Sequence, residues 1–224
     1  MLEISAQAPS GWDAEYTEDA IRRFVLRERP DWIFYQEIPN HVPFAEGYEL
    51  VRAQTESHCG TIVTLVRAEL VEEEPVNHSV VPRCAVLSEI PRFDLTIANV
   101  HLAPMSAGAP ARLRMLQQIV EATQTARLLV IGDTNTRIVE EKEIRELGFD
   151  VARPPVATWN TRENHFRKKS RKYTAYYTRY FAKGDMAVAE VKVHDTPMKV
   201  DGQSFFLSDH FAMSGSLETP AKQD

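Results

Sequence analysis

Cysteine is nearly missing from this 224-residue sequence, with Cys59 and Cys84 the only two. Two isolated cysteines in apolar surroundings form neither a disulfide framework nor a metal knuckle. Both read as reduced thiols, which points to a cytoplasmic setting. Long apolar runs are missing too; none approaches the ~20 residues that a bilayer span needs, so a transmembrane segment is excluded. The opening Met1-Leu2-Glu3-Ile4-Ser5-Ala6-Gln7 lacks a basic stretch followed by an apolar core and is not a secretory signal. It reads as a short strand that begins at once. Repeats, linkers and low-complexity tracts are absent, and no heptad or apolar stripe calls for an obligate dimer, so a monomer is expected.

What is present suits one well-packed unit. The length accommodates a single core, expected over residues 1–217, with a polar tail over 218–224. A formal charge of −6 argues against a protein that coats nucleic acid by bulk electrostatics. The average conceals a segregated pattern. From Thr161 to Lys183 the segment carries +7, which leaves −13 on the rest of the chain.

Apolar runs at Trp32-Ile33-Phe34-Tyr35, at 61–66, at 95–100 and at 128–131 predict buried strands. Alternation at 48–52 and 188–193 predicts half-exposed ones, and 211–215 is expected to close a sheet. Helical spacing appears from Thr17, a potential cap, to Arg27, where Ala20, Ile21, Phe24 and Val25 share a face. It recurs over 111–126, which groups Leu113, Leu116, Ile119, Val120 and Ala122, and briefly over 139–147 before Gly148. Helices inserted singly among many strands exclude a regular Rossmann alternation. An α/β protein with two packed sheets and helices outside is the architecture this order fits.

Four apolar strands end in polar residues: Gln36-Glu37, Asn99-Val100-His101, Gly132-Asp133-Thr134-Asn135 and Ser208-Asp209-His210. Each has a plainer meaning by itself. An Asp or Asn after a strand is commonly a turn former, and a lone histidine is commonly a satisfied core residue. Acids and imidazoles at strand ends are nevertheless costly to desolvate unless they pair or bind metal. Four such ends converging on one rim would make a site for a hard divalent cation, such as Mg²⁺.

Taken in this order, with Leu102 after His101, the four segments resemble the endonuclease/exonuclease/phosphatase superfamily. Within it, Gly132-Asp133-Thr134-Asn135 followed by Arg137, then Thr158-Trp159-Asn160-Thr161, then Phe206-Leu207-Ser208-Asp209-His210, are most similar to the tyrosyl-DNA phosphodiesterase 2 branch. The likeness runs from Ile4 to Gly215. It implies a deoxyribonuclease-I-like four-layer sandwich of two packed mixed β-sheets flanked by helices. It also implies a Mg²⁺-dependent (or Mn²⁺-dependent) phosphodiester hydrolase with a polyanionic substrate, nucleic acid first, and 5′-end processing as one form of the activity. On this likeness Glu37 ligates the metal, with Gln7 and Asp209 beside it. Asp133 orients or deprotonates the attacking water, Asn135 holds it, His210 faces the phosphate, and His101 adds a donor.

Two positions depart from the family pattern. Gln7 stands where the first strand normally ends in Asn, which lengthens the side chain and keeps the amide. Thr178 stands where an Asp normally bonds the catalytic His, and a hydroxyl cannot stabilise an imidazolium as a carboxylate does. A slower or differently tuned reaction is the expectation.

The run from Phe166 to Phe181 interleaves basic residues, including Arg167, Lys169 and Arg179, with Tyr173, Tyr176, Tyr177 and Tyr180. Cations beside aromatics suit single-stranded nucleic acid, where charge follows the backbone and rings stack on bases. Arg137, Trp159, Arg167, Lys169, Tyr176 and Arg179 are therefore the substrate-contact candidates. The same chemistry would serve a phospholipid, an inositol phosphate or a small nucleotide. A binding protein on a degenerate catalytic fold also stays open, because of Gln7 and Thr178.

Overall fold

Side chains along a strand alternate between its faces, and the apolar runs of this chain bury both. The computed structural model describes residues 1–5, 14–38, 46–56, 60–73, 76–81, 85–163, 172–200, 202–206 and 208–218. The elements begin with β1 (Leu2–Ser5), α1 (Ala14–Glu28), β2 (Trp32–Ile38), β3 (Tyr48–Glu56), β4 (Gly60–Arg67), α2 (Ala68–Glu73), β5 (Asn77–Val81) and β6 (Ala85–Ile90). They continue with β7 (Leu95–His101), α3 (Ala109–Ala122), β8 (Arg127–Asp133), α4 (Glu141–Glu146), β9 (Asp150–Val151), β10 (Trp159–Asn160) and β11 (Thr174–Ala175). The chain then forms β12 (Thr178–Lys183), β13 (Ala187–His194), β14 (Met198–Val200), β15 (Gln203–Phe205) and β16 (Ala212–Glu218).

Two six-stranded sheets result, ordered β13-β16-β1-β2-β4-β3 and β5-β6-β7-β8-β12-β9. Both are mixed, with β1–β2 and β7–β8 the parallel pairs. Three apolar clusters show how the layers stack. Ile33 and Tyr35 face outward against Ile21, Phe24 and Val25 of α1. Phe34 faces inward with Ile97, Leu129, Ile131, Tyr180, Phe211 and Met213, which fill the space between the sheets. On the far side Ala98, Val100, Leu128 and Val130 meet Leu116 and Ile119 of α3 and Ile144 of α4. Helix, sheet, sheet, helix is thus the order of layers. Each fully buried Leu, Ile or Phe in them contributes about 1.5–3 kcal/mol of transfer free energy.

The helices differ at their ends from the sequence expectation. α1 starts at Ala14, ahead of Thr17, because Ala14-Glu15-Tyr16 continue the helix. α3 starts at Ala109 with Pro110 in its first turn, where a missing N–H costs nothing. It ends at Ala122, which is exposed, and the Thr123 hydroxyl bonds back to the Ile119 carbonyl at 2.8 Å. The third helix divides into a 3₁₀ turn, Ile138–Glu140, and α4. The last strand runs through Glu218, paired with Ala187, so the pairing takes in the first residue assigned to the tail; residues 219–224 lie outside the described residues. Cys59 and Cys84 also lie outside them. No helix among the described residues is long and apolar enough to cross a membrane.

Two backbone features shape the rim of the sandwich. Gly132, at φ 134°, lets β8 approach β7 closely; a Cβ there would lie 2.3 Å from the Val100 carbonyl oxygen. Glu37 sits at φ 54° where the β2–β4 register shifts between Tyr35 and Ile38. An irregularity of this kind re-aims a side chain at the edge of a sheet.

Candidate active site

Parallel pairing places the C-terminal ends of β7 and β8 level, so that His101 is the register partner of Asp133. Antiparallel β12 brings Thr178 opposite Asp133 as well. Three strands therefore deliver three polar side chains to one row. The loop before β16 adds a fourth, through a bridge between Trp159 and His210 and a bond from the Phe211 amide to the Thr158 carbonyl at 2.8 Å.

Glu37, His101, Asp133 and His210 come together. His101 Nε2 lies 3.1 Å from Glu37 Oε1 and 3.6 Å from Asp133 Oδ2. His210 Nε2 lies 3.8 Å from that same Asp133 oxygen. The other Asp133 oxygen accepts the Asn135 amide N–H at 3.0 Å, and the Asn135 side chain donates to the Leu102 carbonyl at 3.1 Å. Asn135 adopts φ 51°, a left-handed conformation that asparagine tolerates better than most residues. Asp209 is buried, accepts the Ser208 hydroxyl at 3.3 Å, and acts electrostatically on Glu37. Burial pushes the Glu37 carboxyl above its usual range; His101 opposes this, Asp133 adds to it, His210 opposes and Asp209 adds.

The His210 ring is held from two sides. Its Nδ1 is 3.0 Å from the Thr178 hydroxyl, and Trp159 meets it edge-on at 4.8 Å between centroids. Thr158 supports the arrangement, because its hydroxyl accepts the Thr178 amide at 3.1 Å. Beneath the rim, Gln36 donates to Asn99 at 2.7 Å, and Asn99 donates to the Val63 carbonyl at 3.0 Å and approaches Thr64 at 3.2 Å. This buried amide pair joins the two sheets directly below Glu37 and His101. The sequence marked Gln36 and Thr158 only as members of their motifs, with no role for either; a polar residue within an otherwise apolar strand is the signal that could have assigned Gln36.

The substrate-contact candidates separate in space. Trp159 lies against His210, with Tyr173 and Tyr177 packed on it at 6.3 and 5.8 Å. Arg137 stacks over Tyr177 at 4.7 Å and donates to the Asn135 carbonyl. Tyr176 is half-buried, within electrostatic reach of Arg153. Gln7, Arg167 and Lys169 lie outside the described residues. Arg179, expected to meet substrate, is instead turned inward and is 1% exposed. Alternation along β12 puts Thr178 and Tyr180 toward the sheet interface, and Arg179 and Phe181 beneath the helices. There Arg179 donates to Glu141 at 2.7 Å.

Arg153 and Arg179 both bond Glu141, and together they hold its carboxyl down at about 2. A depressed carboxyl contributes stability that is present above its unfolded value, near 4.5, and is lost as pH falls toward 2. Glu141→Gln is therefore expected to be less stable than the parent by on the order of 2 kcal/mol near neutral pH. The difference should shrink as pH falls from about 4.5 and vanish only below about pH 2, where the parent carboxyl is protonated as well. Thermal melts across that range check it; a gap that is independent of pH would contradict the assignment.

The donor chemistry at the rim fits a divalent cation. Glu37, His101 and Asp133 each offer a ligand atom, all within 4.8 Å of one another, and two carboxylates with an imidazole make a donor set for a divalent cation.

Two mixed sheets face to face with helices outside are the fold of endonuclease/exonuclease/phosphatase proteins. No family model and no curated protein matches the chain. Among solved structures, D. rerio TDP2 complexed with single-strand DNA product is similar over 97% of this chain and 98% of that one, at TM-score 0.77 and 16% identity. The human Nocturnin catalytic domain with bound sulfate matches over 97% and 92%, at 0.68 and 15%. An endonuclease/exonuclease/phosphatase family protein from Leptotrichia buccalis C-1013-b matches over 97% and 98%, at 0.64 and 16%. At these identities the likeness is one of fold.

Proposed function

We propose that the chain is a Mg²⁺- or Mn²⁺-dependent phosphodiesterase whose substrate is nucleic acid, processed at a 5′ end. One observation carries the reading. A single Asp133 oxygen faces two imidazoles, His101 at 3.6 Å and His210 at 3.8 Å, with Glu37 on His101. In-line displacement at phosphorus needs a proton acceptor for water and donors for the phosphoryl oxygens, both set in place before reaction. Asp133 is the acceptor, and its orientation is fixed through the bond from the Asn135 amide. His210, held by Thr178 and Trp159, donates to the phosphate, and His101 adds a second donor as the substrate enters. Glu37 would hold the cation, with Asp209 behind it; when bound, the ion would polarise a phosphoryl oxygen and steady the leaving oxygen.

The choice of nucleic acid rests on Trp159, Tyr173, Tyr177 and Arg137 beside His210. An aromatic cluster with a stacked guanidinium suits an unpaired base and its phosphate. The TDP2 structure with single-strand DNA product is consistent with this choice. Single-stranded oligonucleotides carrying 5′ adducts, assayed beside phospholipid and inositol phosphate substrates with Mg²⁺ and with EDTA, test it. Cation-dependent release from the oligonucleotides is expected. Turnover restricted to the lipid or inositol substrates would overturn the choice of substrate, and no turnover on any of them would overturn the reading.

A further inference from the structure

We propose that Arg112, on the buried face of α3, is a positioning residue for the reaction centre, clamping the loop after His101 to the loop after Asp133. The proposal rests on the phosphodiesterase reading for its consequence and on geometry alone for its existence.

Arg112 is completely buried although it is charged. Its Nη1 donates to the carbonyls of Ala103 at 2.6 Å and Met105 at 2.7 Å. Its Nε and Nη2 donate to the two oxygens of Glu140 at 2.9 and 2.6 Å. Glu140 Oε1 also accepts the backbone N–H of Arg137 at 3.1 Å. One guanidinium therefore joins the loop that leaves β7 to the 3₁₀ turn that follows Asn135 and Arg137. Gly108 leaves the space open; a Cβ there would lie 3.0 Å from Arg112 Nη1 and 3.1 Å from the Ala103 carbonyl oxygen.

The loop from Ala103 to Gly108 belongs to neither sheet, and Met105 adopts φ 65° within it. Its carbonyls meet a fork of fixed planar donors, which a lysine, with one compact charge, cannot reproduce. The clamped groups lie close to the chemistry along the chain. Ala103 is two residues from His101, and Glu140 is five from Asn135. Leu102 between them donates to the Asp133 carbonyl at 2.9 Å and accepts from Asn135. Misplacement of a reacting group by about 1 Å costs on the order of a hundredfold in rate. A clamp that sets both loops acts on rate without touching substrate.

The test uses Arg112→Met, Arg112→Lys and the double variant Arg112→Met with Glu140→Met, in the full chain. Removing one member of a buried pair strands the other charge, whereas removing both is commonly tolerated by the fold. The single variants should lower kcat about 30-fold with KM within about threefold, the range seen when groups supporting first ligands are lost. The double variant should melt above Arg112→Met, because no buried charge is stranded, while its kcat stays low. Amide hydrogen exchange supplies a readout independent of turnover. Leu102, Asn135 and Arg137 should exchange at least about tenfold faster in every variant, while Ile97 and Val130 in the strands stay protected. Parental kcat in the double variant, or acceleration spread evenly over strands and loops, would overturn the proposal. If the parent turns over no phosphodiester, the exchange pattern alone decides the clamp, and the phosphodiesterase reading falls separately.

Discussion

Replacing Asp133 with asparagine is expected to lower turnover about a thousandfold while leaving the protein folded. The expectation follows from the different duties of the two carboxylate oxygens. Oδ1 accepts the Asn135 amide, a bond that an asparagine oxygen keeps. Oδ2 faces His101 and His210, where an amide nitrogen or a neutral oxygen cannot take a proton from water. The loss should fall on kcat, with KM within about threefold, because the group acts on the transition state rather than on ground-state binding. Steady-state kinetics on an oligonucleotide substrate, with a thermal melt as control, measure both. A loss of tenfold or less would remove Asp133 from the role of proton acceptor.

Glu37→Gln is expected to abolish the stabilisation that Mg²⁺ or Mn²⁺ confers and to lower turnover at least about a hundredfold, the upper end of what losing a group that only supports a ligand costs. It should also change the stability of the ion-free protein in the opposite direction. Burial raises the Glu37 carboxyl above its usual value. A raised carboxyl contributes stability that is complete below its unfolded value and is lost as pH rises through the folded one. Near neutral pH the buried carboxylate is thus a cost that glutamine removes. The variant should melt higher than the parent without ion, and lower than the parent when ion is saturating. Calorimetric melts at several pH values, with and without the cation, read both effects. If the variant responds to the cation as the parent does, Glu37 is not a ligand.

The strands were legible wherever apolar residues ran together. The runs at Trp32, Thr61, Leu95 and Leu128 each begin at or within one residue of an observed strand. β5, with its polar Asn77-His78-Ser79, and the short pairs β10–β11 and β14–β15 had no such signature, because tertiary pairing rather than composition makes them strands. Glu37, His101 and Asp133 were visible as polar residues at the ends of apolar strands, which requires no knowledge of which strands are neighbours; Ser208-Asp209-His210 was expected at a fourth strand end and lies instead in the loop between β15 and β16. Arg112 was not. It lies on the same helical face as Leu116 and Ile119, where a charge is read as a flaw in the stripe until its partners are known. Arg179 was placed at the substrate surface because the charge around it is positive; strand alternation, not charge, decides which way a β12 side chain points.

Period and composition alone determined that the chain builds two-faced strands with a few covering helices, and that Glu37, His101 and Asp133 lie at strand ends. Only the tertiary structure decided that β7 runs parallel to β8 and antiparallel β12 lies beside them, which brings His101, Asp133 and Thr178 into one row. Only packing decided which charges go inside. A buried arginine is tolerable only where particular acceptors await it, and the acceptors of Arg112 are supplied by residues up to 28 positions away in the chain.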